Sequence, residues 1–507
     1  MKTLKANEWS HCTTIARWSA IFLFAAGMQT PALPALQAAS MKMEFTDNTV
    51  AAAVTRDLRF DPAVSHSFVQ AQASQGIVTL TGSVNDLPTR RRAVRIAESV
   101  RGVLGVVDQL TVSPEARSDE AIRKDILAAL LNDPATESYE VSVSVKDAVV
   151  TLSGTVGSWA ESQLAQRIAE GVRGVKDVHN GILINYAAPR SDEAIADDVQ
   201  AVLHWDIWLE GDPIQVTVKN GVVTLTGTVG SDVAKVRAGW DAWVNDVQSV
   251  DTDGLKVNPA IAGKERKRHQ SDVRSDGDIK KAVELSFRHD PRLEHSSVNV
   301  SVEDGVVILG GAVNHLKAKT SAAQDARDII GVMWVDNQLM VQPEMKWPRD
   351  AEVQKELNAA LIWDPRLVGS QIRAAVINHV AYLTGDVDSL QEQAEAQDVA
   401  SRTKGVVEVR NRLRVASPPE FFYYDQPYSD YEVFGGPLPL KSDAQIKKEI
   451  EHAFFWSPFV HRNDINVKVD NGVVKLTGTV GSWIGYEEAY QDAHNSAAAV
   501  IDRLKVK

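Results

Sequence analysis

Hydrophobic and polar residues alternate strictly in short runs along this chain. Examples are Val141-Ser142-Val143-Ser144-Val145, Val298-Asn299-Val300-Ser301-Val302 and Ile465-Asn466-Val467-Lys468-Val469. Such a period of two predicts strands with one buried and one wet face. Asn220-Gly221, Asp304-Gly305 and Asn471-Gly472 follow runs of this kind and are strong hairpin signals. The second arm of each hairpin is one phrase written six times. Two copies are Val150-Thr151-Leu152-Ser153-Gly154-Thr155-Val156 and Val223-Thr224-Leu225-Thr226-Gly227-Thr228-Val229. Its glycines, Gly82, Gly154, Gly227, Gly311, Gly385 and Gly478, stand 72, 73, 84, 74 and 93 residues apart. The repeat resolves 507 residues into six small units rather than one large domain.

Around each hairpin the period changes to that of a helix. Ile122, Ile126, Ala129 and Leu130 mark a first helix, entered through Ser118-Asp119-Glu120. Ser191, Ser275 and Ser442 open units three, four and six in the same way. A capping hydroxyl followed by acids satisfies free N–H groups and suits the positive end of the helix dipole. The helix stops at an Asp-Pro step: Asp61-Pro62, Asp133-Pro134, Asp290-Pro291, Asp364-Pro365. No base or nucleophile recurs with these acids, so they read as turn chemistry, not catalysis. A second, alanine-rich helix carries Ala93, Ile96, Ala97 and Val100, matched by Ala165, Ile168, Ala169 and Val172. A Gly-Val turn then leads to a closing strand. The phrase glycine is assigned a structural role, permitting a bulge or a close helix approach. The predicted class is α+β: six tandem αββαβ units, each a three-stranded mixed sheet with two helices on one face. The units span 47–113, 118–185, 191–258, 275–342, 349–415 and 442–507. Domains this small bury only ~60% of their unfolded surface, so pairing of neighbouring units is expected.

These features together resemble the BON domain, a family named for bacterial osmotic-stress and nodulation proteins. The carriers are the capped first helix, the V-T-L-T-G-x-V strand, the alanine-rich helix, the Gly-Val turn and the V-x-N-x-L-x-V closing strand. The last appears as Val178-His179-Asn180-Gly181-Ile182-Leu183-Ile184 and Val335-Asp336-Asn337-Gln338-Leu339-Met340-Val341. Units three and six depart from the pattern, with Asp246 and Ser496 at the turn glycine. The resemblance implies an envelope protein that responds to osmotic stress, binds phospholipid surfaces and is not an enzyme.

The first 39 residues read as a cleavable signal peptide: Lys2, Lys5 and Arg17, then an apolar run from Ser19 to Met28, then small residues. That implies a periplasmic location. Cys12 is the only cysteine and precedes the apolar run, so neither lipidation nor disulfides are expected. The net charge of −13 argues against nucleic acid. No metal, phosphate-loop or triad spacing occurs, so no cofactor or small-molecule substrate is expected.

Function is sought where the copies differ. Unit one carries 7 basic and 6 acidic residues, unit three 4 and 12. Arg90, Arg91, Arg92 and Arg95 are therefore the candidate contact with anionic phospholipid, with a plain solvated face as the alternative. Trp159 and Trp483 suit a membrane interface, or pack against a neighbouring unit. Trp205, Trp363 and Trp456, ending first helices, are expected to pack in the core or between units. The linker 259–274 contains a basic run. The segment 416–441 is rich in aromatics and proline, and Phe421, Phe422, Tyr423 and Tyr424 are candidates for a partner. The leading reading is a non-enzymatic envelope protein that binds phospholipid surfaces or envelope proteins. The alternatives are a periplasmic holdase and a cytoplasmic scaffold.

Overall fold

The computed structural model describes residues 45–506, except 66, 137–139, 187–189, 262–273, 294–295, 343–347, 416–441, 461–463, 471 and 497–498. The signal segment, most of the basic linker and the aromatic segment with Phe421, Phe422, Tyr423 and Tyr424 lie outside the described residues.

Unit two shows the plan. A helix at Asp119–Asn132 precedes strands Glu140–Lys146 and Val149–Val156, a helix at Trp159–Glu170 and a strand at Asp177–Ile184. The hairpin is antiparallel and the closing strand runs parallel to its second arm. The same order recurs in all six units. The closing strand of unit four is broken after Asn337 and resumes at Met340–Val341.

Local chemistry explains each joint. Thr46, Ser118, Ser191, Ser275 and Ser442 cap their helices by accepting from the third helical N–H, whereas Arg349 of unit five makes no such side-chain bond. The next residue is Asp in every unit, and it does more than face the dipole. Asp119 accepts from the amides of Asp147 and Ala148 at the hairpin tip, 3.0 and 2.9 Å away. Asp47, Asp192, Asp276 and Asp350 hold their own tips through two amides each, and Asp443 holds Gly472. One carboxylate thus sets helix against hairpin. Its amide partners hold the Asp47, Asp192 and Asp350 carboxyls below the usual carboxylate pKa.

The repeated glycine has a reason other than the one expected. Gly154 has φ +140°, and an added Cβ would lie 2.1 Å from the Glu140 carbonyl oxygen. The other five phrase glycines meet the preceding strand in the same way. The register runs unbroken past Gly154. The close neighbour is therefore a strand carbonyl, neither a bulge nor a helix. At the second joint, Asp246 keeps unit three's turn by adopting φ +72°, where Gly102, Gly174, Gly331 and Gly405 stand in other units. Asp tolerates this left-handed conformation better than most residues. Unit six's turn includes 497–498, outside the described residues.

Each sheet buries one face under both helices. In unit two Val150, Leu152 and Val156 meet Ile122, Ile126, Leu130, Ala165, Ile168 and Ala169. The alanines let the second helix sit close to the sheet.

The units form one compact body. They do pair, but mostly not with sequence neighbours. In units five and two, the Trp363 carbonyl accepts from the Arg173 amide (2.8 Å) and the Asn132 carbonyl accepts reciprocally from Lys404 (3.1 Å). Trp456 of unit six accepts from Arg101 of unit one (2.9 Å), and Trp205 of unit three from Ile330 of unit four (3.0 Å). The pairs are therefore one with six, two with five and three with four, a nested order. Each uses the carbonyl at the end of a first helix and the amide before the Gly-Val turn. It is the backbone carbonyl of Trp205, Trp363 or Trp456 that makes this bond in each pair, and the Trp205 ring also packs on the core of unit four.

Candidate functional site: a charged cavity where the helices meet

The helices of all six units contribute to the walls of a cavity of about 1750 Å³. Asp61, one of the Asp-Pro acids, lines it, and unit three carries Asp206, followed by Ile207, at the same place. Asp61, Asp133, Asp206 and Asp364 are almost fully buried. Each first closes its own turn by accepting from the amide two residues on, as Asp133 does from Ala135 (3.0 Å). Its other oxygen is left for a partner. Ten residues past the phrase glycine, the second helix supplies one: Arg92 to Asp61 (2.7 Å), Arg237 to Asp206 (2.6 Å) and Ser321 to Asp290 (2.6 Å). In unit five that position is Glu395, and Arg366 bridges Asp364 and Glu395. In unit two it is Leu164, which has no polar group. There Arg292 arrives from unit four and grips Asp133 with both terminal nitrogens at 3.1 Å. Burial alone would raise the Asp133 pKa, but Arg292, with Arg402 and the Ala135 amide, holds the carboxyl below its usual value. The recurring Asp is turn chemistry, as read from sequence, and also the anchor of an ion-pair network that sequence reading missed. The signal was a cation, hydroxyl or acid at one fixed distance in five of six copies.

Three of the candidate lipid arginines are paired with acids. Arg90 bonds Asp108 in its own unit (2.7 Å). It fills a local need. Elsewhere the closing-strand Asn180, Asn337 and Asn411 donate to a second-helix carbonyl. Unit one has Asp108 at that position and needs a donor from the helix instead. Arg91 pairs with Glu170 of unit two (2.6 Å) and Arg92 with Asp61. Arg91, Arg92 and Arg95 line the cavity. Trp159 stacks on Trp243 of unit three at 4.8 Å between ring centres and meets Trp240 edge-on at 5.0 Å. Trp483 of unit six lies 5.6 Å from Trp334 of unit four, under the guanidinium of Arg327. Both tryptophans occupy contacts between units.

Acids are crowded where units meet. Burial first, then neighbouring acids, pushes Asp492 up, and Glu488 is raised by burial as well. Burial and Asp364 push Glu395 to about 8. Between units one and three, burial and then Asp232 push Glu98 to about 7, and burial pushes Asp232 to about 6. Among the described residues no group of His, Cys, Asp or Glu is arranged to hold a metal, and no helix is long and apolar enough to cross a membrane.

Six αββαβ units with this phrase, capping and closing strand define a class. The chain belongs to the BON domain family, which matches residues 46–114, 118–186, 191–259, 275–343, 349–417 and 442–507. It is 35% identical over 143 residues to osmotically-inducible protein Y of Escherichia coli, covering 27% of this chain and 71% of that protein. It is 28% identical over 131 residues to the outer membrane lipoprotein DolP of Haemophilus influenzae, covering 25% of this chain and 67% of that one. The solved C-terminal domain of CdsD, a structural protein of the type III secretion system of Chlamydia trachomatis, aligns at 16% identity. That alignment covers 45% of this chain and 100% of the other, with a TM-score of 0.13, too slight to carry weight.

Proposed function

We propose that this protein is a non-catalytic, stress-related component of the bacterial cell envelope that contacts phospholipid surfaces. The observation that carries the reading is its composition from six BON units. Two relatives support it, one named for osmotic induction and one for the outer membrane. The geometry favours a contact surface other than the arginines. Arg90, Arg91 and Arg92 are held by acids of their own body, so the outer strand faces are better suited. Phe68 in the first strand of unit one is 75% exposed, and Leu183 in the closing strand of unit two 70%.

The mature chain should co-sediment with phosphatidylglycerol vesicles at low salt, and Phe68→Glu with Leu183→Glu should weaken that. No sedimentation at low salt would overturn the lipid reading. The envelope reading has its own check: N-terminal sequencing of the natural protein should find the first 39 residues removed. An intact Met1 would refute export by a cleaved signal.

A further inference from the structure

Unit five turns an arginine-rich sheet face outward. Its strands run Gln371–Ile377, Val380–Val387 and Glu408–Val415. Ile372, Ala374, Leu383 and Leu413 belong to the core, so by alternation Arg373, Thr384, Arg410, Arg412 and Arg414 stand on the other side. All five are exposed. The register sets Arg373 beside Thr384 and Thr384 beside Arg412. The two arginines thus flank one threonine in a single row, with backbones about 10 Å apart. Arg414 pairs with Asp386 (2.9 Å). Arg410 pairs with Glu408 (2.8 Å) and lies over the Tyr382 ring, 5.4 Å from its centre. Among the described residues Arg373 and Arg412 have no carboxylate within ion-pair distance. The matching rows of units one and two are uncharged: Gln70, Thr81, Gln109 and Ser142, Ser153, Gly181. Folding the unit therefore does not require arginine there, and in a chain of net charge −13 this face is a local excess of positive charge.

We propose that this face of unit five docks the acidic, aromatic stretch 416–441 of the same chain. The stretch leaves directly from Val415, the last residue of the strand that bears Arg410, Arg412 and Arg414. It holds four acids, Glu420, Asp425, Asp430 and Glu432, against one base, Lys441. The aromatic run Phe421 to Tyr424 follows the first acid. Guanidinium groups suit both features. They donate in a fork to carboxylates and stack on aromatic rings, as Arg410 already does on Tyr382. The reach is sufficient: from Val415 to Tyr424 the chain spans up to about 30 Å, against about 26 Å for the whole closing strand. Exposed ion pairs are individually weak, but attachment at the strand's end makes the contact intramolecular and raises its effective concentration. Unit six also carries cations side by side, Lys468 and Lys475, but ammonium groups lack the fork and the planar stacking surface.

The test is limited chymotrypsin digestion of the full chain, with cleavage within 421–434 followed by mass spectrometry. Docked aromatic residues should resist cleavage at low salt. Arg373→Glu with Arg412→Glu should speed it about fivefold, and about 0.5 M sodium chloride should speed it in wild type. Lys468→Glu with Lys475→Glu should leave the rate unchanged. Equal rates in wild type and the unit-five variant, or a larger rise in the unit-six variant, would overturn the proposal. Should charge reversal prevent folding, Arg373→Gln with Arg412→Gln takes its place, and a wild-type rate indifferent to salt is by itself enough to reject docking. Protection that grows with protein concentration would give the face to a second copy and reject docking within one chain. Weaker co-sedimentation of the unit-five variant with phosphatidylglycerol vesicles, at an unchanged cleavage rate, would give the face to lipid instead. Digestion is carried out without vesicles, so this proposal and the lipid reading fail separately.

Discussion

At the scale of the residue, position within the repeat decides which groups are indispensable. Gly154 combines φ +140° with a neighbouring carbonyl 2.1 Å from where a Cβ would stand. Gly154→Ala should therefore cost about 2–4 kcal/mol by urea unfolding, since it adds a clash to an unfavourable backbone conformation. Arg292 makes the sharper case. It and Asp133 are only 8% and 4% exposed. Replacing one partner of a buried pair strands the other charge, at about 3–5 kcal/mol. Arg292→Met should show that loss, and adding Asp133→Asn should recover part of it. Full additivity of the two changes would argue against the coupling. Arg91→Glu should also lower stability, because it sets like charges together where Arg91 now meets Glu170.

At the scale of the element, helix and hairpin are joined by one acid per unit. The hydroxyl cap and first-turn acids were legible in Ser118-Asp119 because they are local chemistry. The second task of Asp119, 28 residues along the chain at Asp147, was not, since no local pattern encodes the partner. Asp119→Ala should lower the melting midpoint and speed hydrogen exchange at the Asp147 and Ala148 amides more than elsewhere. Uniform exchange across the unit would refute that tie. Asp246 teaches the same lesson in reverse. It looked like a departure from the turn pattern, yet its φ of +72° preserves the turn. Backbone conformation there is selected by the strand it must launch, and Asp is an acceptable substitute for glycine.

At the scale of the whole molecule, the nested pairing makes six small domains one body. Thermal unfolding should show fewer cooperative transitions than six, which scanning calorimetry can count. Acid contacts between units should make stability depend on pH. Glu98 has its pKa raised from 4.5 to about 7, by burial first and by Asp232 second. A raised carboxyl binds its proton more tightly in the folded state, so folding is favoured when the group is protonated. Stability should therefore fall as pH rises from about 4.5 to about 7 and level off above that, and Asp232, raised from 3.8 to about 6, acts in the same sense over its own lower window. Glu98→Gln should melt higher than wild type at about pH 8, by about 1 kcal/mol once solvent screening is allowed for, with little difference at about pH 5. A wild-type advantage at the higher pH would contradict the assignment.

The sequence by itself determined the unit: its six copies, the αββαβ order, the caps, the buried faces and the family. These depend on contacts within about seventy residues, and periodicity, turn residues and repetition record them directly. Tertiary structure decided the partners. Trp205, Trp363 and Trp456 mark one unit of each pair, but nothing local says that unit six closes on unit one or that Arg292 reaches Asp133. The arginines of unit one show the physical reason. A run of positive charge reads as an exposed basic face until the chain is folded, because the acids that neutralise it, Asp61, Asp108 and Glu170, come from other elements and another unit.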